Sequence, residues 1–137
     1  MSTTHLLAIA ILGWGLGSFC YKIANDKLHP IVVEVVVTAA YIIITPLYIW
    51  WFKPTWNWNV TGITFSVVGA LAMCAGSLAY FFILYKGGHV GEVTTITALY
   101  PAVTLILSCL FMGEPMNLKK GIGVCLALLS CYILGSK

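Results

Sequence analysis

The sequence is poor in charge. Asp, Glu, Lys and Arg make up only 8% of its 137 residues, where an average soluble domain carries about 25%. Eleven charges cannot furnish a polar shell for a chain that is 61% hydrophobic, which excludes a water-soluble globule. The net charge of +3 comes entirely from lysines, too weak and scattered for a nucleic-acid footprint. Chemical signatures are missing as well. There is no Ser/His/Asp grouping, no P-loop and no CxxC. Cys20, Cys74, Cys109, Cys125 and Cys131 all lie in apolar runs and read as small packing residues. His5, His29 and His89 sit near the ends of such runs, far apart, so neither a metal site nor a cofactor is expected. An intramembrane enzyme would need a nucleophile–base pair or a metal cluster, and neither is visible. The first apolar run has no basic n-region and no small-residue cleavage site, so it is not read as a signal peptide.

What the chain does have is apolar length. Charges and turn residues divide it into five apolar runs, at 5–25, 30–52, 60–85, 93–113 and 118–136. About 20 residues at about 1.5 Å each cross a hydrocarbon core of about 30 Å, so each run is expected to span alone. The expected fold is therefore a single all-α integral membrane domain of five transmembrane helices. Connections of seven residues or fewer make consecutive helices antiparallel neighbours and leave no room for a soluble domain. Asn25-Asp26-Lys27 and Lys86-Gly87-Gly88-His89 are polar turns. Trp50, Trp51, Trp56 and Trp58 bracket Lys53-Pro54 as an interfacial belt, and Asn117 is placed to cap the last span.

The lysines are nearly balanced across the five spans. Lys53, Lys119 and Lys120 fall on one side, while Lys22, Lys27, Lys86 and Lys137 fall on the other. Lysine and arginine bias sets orientation, and three against four is almost no bias. Insertion both ways follows as an expectation. Many secondary transporters rock two inverted repeats about a midplane site. A five-span unit in both orientations could build that arrangement as an antiparallel homodimer.

Polar residues inside spans usually face a bundle interior or a wet cavity. Glu34, Thr38, Tyr41, Thr45 and Tyr48 recur on one face of the second span. The fourth span repeats the pattern with Thr94, Thr97, Tyr100, Thr104 and Ser108, and the first with Trp14, Ser18, Tyr21 and Asn25. Such stripes could line a path, or their hydroxyls could bond their own helices and serve packing. Gly62, Gly69 and Gly76 form a seam for close approach of another backbone. Pro46 and Pro101 remove backbone donors, and Pro101 near mid-depth is placed to bend the fourth span. Glu34 is the one acidic residue clearly inside a span: a coupling or cation-contact candidate, or a structural group reaching interfacial water.

Particular segments resemble a known family. Leu12-Gly13-Trp14-Gly15 followed by Lys22 is similar to the "WG…K" first helix of EamA-type units in the drug/metabolite transporter superfamily. Tyr80, Lys86 and the Gly-rich turn are similar to the end of its third helix. The stretch Ala98-Leu99-Tyr100-Pro101-Ala102-Val103-Thr104 through Phe111-Met112-Gly113-Glu114 resembles its "L-x-P-V…L-G-E" fourth helix, and Gly121 and Gly123 match the start of its fifth.

The resemblance implies export or exchange of small organic solutes, in a chain that is one half of an inverted-repeat transporter. It implies that the first, third and fourth helices surround the cavity, nominating Trp14, Ser18, Ser77, Tyr80, Thr97 and Tyr100 for substrate contact. Hydroxyls of the fourth span, Thr104 among them, would orient the solute. The first helix holds no acid, unlike that of the four-span small multidrug transporters. The expected partners are a small-molecule solute, the lipid bilayer and a second copy of the chain, and the expected location is the plasma (inner) membrane of a prokaryote. A non-transporting membrane scaffold, or half of a heterodimeric transporter, are the competing expectations.

Overall fold

A computed structural model of the chain describes residues 3–56 and 58–135. Ser136, at the expected end of the last span, and Lys137 lie outside these residues. All regular structure among the described residues is helical: α1 Thr3–Asn25, α2 Pro30–Phe52, α3 Val60–Tyr85, α4 Val90–Thr97, α5 Tyr100–Phe111 and α6 Leu118–Gly135. Four stretches are long and apolar enough to cross a membrane, namely α1, α2, α3 and the α4–α5 pair taken as Val90–Phe111. The 18-residue α6 is a further helix.

Local chemistry sets these limits. Pro30 opens α2, where a missing N–H costs nothing. Lys53 closes α2 in the left-handed conformation at φ 43°, just before Pro54 prevents continuation. Asn59 caps α3, its Oδ1 accepting from Gly62 N at 2.9 Å. Asn117 does the same for α6, accepting from Lys120 N at 2.9 Å. Gly87 (φ 95°) and Gly113 (φ 66°) follow helix ends in a backbone conformation where a side chain would be strained.

The fourth span departs from expectation. It was expected as one helix over 93–113; it begins at Val90 and is interrupted at Ala98-Leu99. Pro101 is the cause, because it offers no N–H to the Thr97 carbonyl and its ring crowds that carbonyl. Ala98 N still bonds Thr94 O at 2.9 Å, and Leu99 N and Ala102 N make only tight bonds to Ile96 O and Leu99 O. The expected bend is a break.

Contacts divide the chain into two compact units, 1–87 and 88–137. In the first, α1 and α2 both pack on α3 and touch each other. The packing is concentrated where the 26–29 turn meets the end of α3. Val33, Phe81 and Leu84 are buried there with Asn25. Tyr21 meets Phe81 edge-on at 5.0 Å, and His29 lies against Phe82 and Tyr85 at 5.7 and 5.6 Å. Lys22 Nζ pairs with Asp26 at 2.7 Å and donates to the Leu84 carbonyl at 3.2 Å. Away from this end the three helices leave their side chains uncovered: every residue of 38–52 and 60–76 is exposed. The unit is closed at one end and open along the rest of its length.

In the second unit α4 packs on α6. Val93 is buried, and the Cys131 thiol of α6 donates to the Thr95 carbonyl of α4 at 3.3 Å. Half-buried Gly121, Val124, Ala127 and Cys131 mark the inward stripe of α6.

Among the described residues of its own unit, the glycine seam of α3 is left uncovered. A Cβ added at Gly69 or Gly76 would meet nothing within 4 Å, and one at Gly62 would meet only its own cap Asn59.

Candidate functional site

The first unit sets its polar residues by register. Tyr21 opposite Phe81 and Lys22 opposite Leu84 show α1 and α3 running side by side in the same direction. Equal rise per residue then puts Ser18 roughly level with Ser77, and Trp14 roughly level with Cys74. Trp14 is exposed, and Ser18, Ser77 and Tyr80 are half-buried on the α1–α3 pair.

Glu34 faces this unit from α2 and is half-buried. It lies just above the point where His29 touches the end of α3, and its charge is felt at the Cys74 thiol of α3. Tyr21 lies in the field of Glu34 and of Tyr41. The Glu34 Oε2 atom is buried and has no hydrogen-bond partner. Among the described residues the ion pairs are Lys22–Asp26 and Lys120–Glu114, so no cation answers this carboxylate. Tyr41 already shared the stripe of Glu34 in the sequence, but Tyr21 and Cys74 were not seen beside it. Tyr21 and Tyr41 stood in separate stripes, and Cys74 read as packing. The missing signal was the α1–α3 register, which only tertiary contacts supply.

The second group belongs to the other unit and surrounds the helix break. Thr97 ends α4, Tyr100 begins α5 and is 57% exposed, and Thr104 follows one turn later. The hydroxyls are already engaged. Thr97 donates to Val93 O at 2.8 Å and Thr94 O at 3.0 Å. Thr104 donates to Tyr100 O at 3.1 Å, and Ser108 to Leu105 O at 3.1 Å. Thr45 on α2 does likewise, to Tyr41 O at 2.7 Å. Each such hydroxyl keeps its lone pairs. The stripe can therefore accept hydrogen bonds from a solute, but donates only by giving up an internal bond. The break adds to this, because Pro101 leaves the Thr97 carbonyl without its helical donor. Irregular backbone at membrane depth is tolerated where it is buried in protein or lines a water-filled cavity.

Among the described residues no three His, Cys, Asp or Glu side chains gather as a metal site would require. An open groove of about 440 Å³ runs along α3, lined by Asn59, Gly62, Ile63, Ser66, Val67 and Ala70.

The chain is similar to proteins of both archaea and bacteria. It is 28% identical over 135 residues to an uncharacterized protein of Methanocaldococcus jannaschii, MJ1333.1, covering 98% of this chain and 97% of that one. It is 23% identical over 136 residues to the uncharacterized transporter YvbV of Bacillus subtilis, covering 96% of this chain but only 44% of YvbV. No solved structure matches it significantly. The sequence profile of the EamA-like transporter family matches residues 2–136. With its apolar helices and prokaryotic relatives, the chain is an integral, multi-pass membrane protein that belongs to the EamA-like transporter family.

Proposed function

We propose that the chain is a subunit of a secondary transporter that moves small organic metabolites or hydrophobic cations by alternating access, working as an antiparallel dual-topology homodimer. The observation that carries this reading is the pattern of coverage. The chain aligns end to end with the M. jannaschii protein, yet accounts for less than half of the transporter YvbV. A longer transporter thus contains more than this chain's length again, and a second copy is the simplest way to supply it. Balanced lysines permit the two orientations. In each orientation the five spans would carry one inverted half of the transport path.

In this reading Trp14, Ser18, Ser77 and Tyr80 form one wall of the path, and Thr97, Tyr100 and Thr104 another. Aromatic faces at Trp14, Tyr80 and Tyr100 suit stacking or cation–π attraction. The interruption before Pro101 resembles the discontinuous helices from which transporters build midplane sites. Gly62, Gly69 and Gly76, which no described backbone of their own unit approaches, would allow close packing by the partner copy.

Tyr100→Ala tests the reading at a residue that the packing of its own unit does not bury. Flux of a solute identified on the purified protein, measured in proteoliposomes, is expected to fall at least tenfold. Cross-linking should find the same dimer fraction as in the unaltered protein. Unchanged flux would remove Tyr100 from the path.

A further inference from the structure

The closed end of the first unit is crossed by a polar link. Lys22 lies in the last turn of α1. Its Nζ pairs with Asp26 at 2.7 Å and donates to the Leu84 carbonyl, in the last turn of α3, at 3.2 Å. A cation there also meets the negative ends of both helices. The Lys22 and Asp26 side chains are 24% and 51% exposed, so water can replace either partner and the link is readily given up.

Beneath the link, closure carries a cost. Asn25 is 1% exposed, in the same cluster as Val33, Phe81 and Leu84. Its Nδ2 donates to the Tyr21 carbonyl at 2.8 Å, but its Oδ1 is buried with no donor. The backbone donors of the following turn are spent elsewhere. Asp26 N bonds the Lys22 carbonyl, and Lys27 N and Leu28 N bond the Ala24 carbonyl. A buried acceptor without a partner has lost its hydration and gained nothing in exchange. Apolar packing and the Lys22 link hold this end shut, and the Asn25 acceptor opposes them. Terms opposed in this way are what a two-state element needs.

We infer that this end is a gate latched by Lys22, whose open state parts the 26–29 turn from the end of α3 and hydrates Asn25. Ser18 and Ser77 lie about one turn inside it, behind the Tyr21–Phe81 contact, so the gate opens onto the wall of the proposed path. That opening passes a solute rests on the transporter reading; that the end opens does not.

The test uses Val33→Cys, at a position 3% exposed, in a protein whose five native cysteines are replaced by serine. Labelling by a hydrophilic methanethiosulfonate is timed in lipid nanodiscs, which leave both faces accessible. Lys22→Met on this background keeps the apolar stem and removes the latch, and is expected to speed labelling at least fivefold. Asn25→Leu has nearly the same shape and no acceptor to hydrate, and is expected to slow labelling at least threefold. The opposite signs distinguish a gate from static packing, because two substitutions that only loosened the end would both speed labelling. Labelling unchanged or faster in Asn25→Leu overturns the gate, and so does labelling unchanged or slower in Lys22→Met. Asn25→Leu decides alone if Lys22→Met does not fold. Flux in proteoliposomes separates the gate from the transporter reading. Both expected labelling changes without flux of any solute retain the gate and remove the transporter. Solute flux without those changes does the reverse.

Discussion

Leu84→Ala is expected to destabilise the first unit by about 2–3 kcal/mol, read as a lowered unfolding midpoint in bicelles. Leu84 is fully buried, at 0% exposure, where α1 and α2 converge on α3. Between membrane helices the lipid is as apolar as the leucine, so burial itself supplies little driving force. What the substitution costs is packing. Removing roughly 75 Å³ of side chain at about 24 cal/mol per Å³ of residual cavity gives about 2 kcal/mol. A residue near the aqueous end of the helix adds part of the transfer term. Leu71, on the same helix but 67% exposed, makes the matching comparison. Leu71→Ala should shift the midpoint by less than about 0.5 kcal/mol. Equal effects at both positions would mean that the unit is not held together at the 26–29 turn.

The second large effect concerns orientation. Thr55→Lys and Met116→Lys combined with Lys27→Gln and Lys86→Gln bring the lysines to five against two. Leu28→Lys and His89→Lys combined with Lys53→Gln and Lys119→Gln bring them to one against six. Each set pins the chain in one orientation. Either pinned protein alone should lose at least 90% of solute flux, because an antiparallel dimer needs both orientations. Co-expression of the two should restore most of it. Full flux from one pinned set alone would contradict the dual-topology dimer. These substitutions lie in connections and at span ends, away from the residues assigned to the path.

The parts of the fold that could be read in the sequence are those encoded by single residues or by bulk hydropathy. Membrane residence follows from eleven charges among 137 residues. Helix starts at Pro30 and Val60 follow from a proline and an Asn cap, which act within one turn of themselves. The start of α4 at Val90 was missed because Gly91 and Glu92 carry no apolar signal. The break at Ala98-Leu99 was read as a bend, since hydropathy continues unchanged across it while the hydrogen-bond ladder does not.

The candidate site divides in the same way. Glu34 stood out as a lone intramembrane acid. Tyr41 could be read beside it, on the same stripe, but Tyr21 and Cys74 could not, because they come from α1 and α3, whose register depends on contacts such as Tyr21–Phe81. The hydroxyl stripes show the converse: their spacing was plain, but their donors turn inward to their own helices.

The most direct test of the account is the orientation of the chain in the membrane. A single cysteine in place of Lys137, in a protein whose five native cysteines are replaced, is labelled from each side of intact cells by a membrane-impermeant maleimide, with and without prior blocking. The antiparallel homodimer predicts comparable labelling from both sides. Labelling from one side only would contradict it, and would require an oppositely oriented partner of different sequence or a role other than transport.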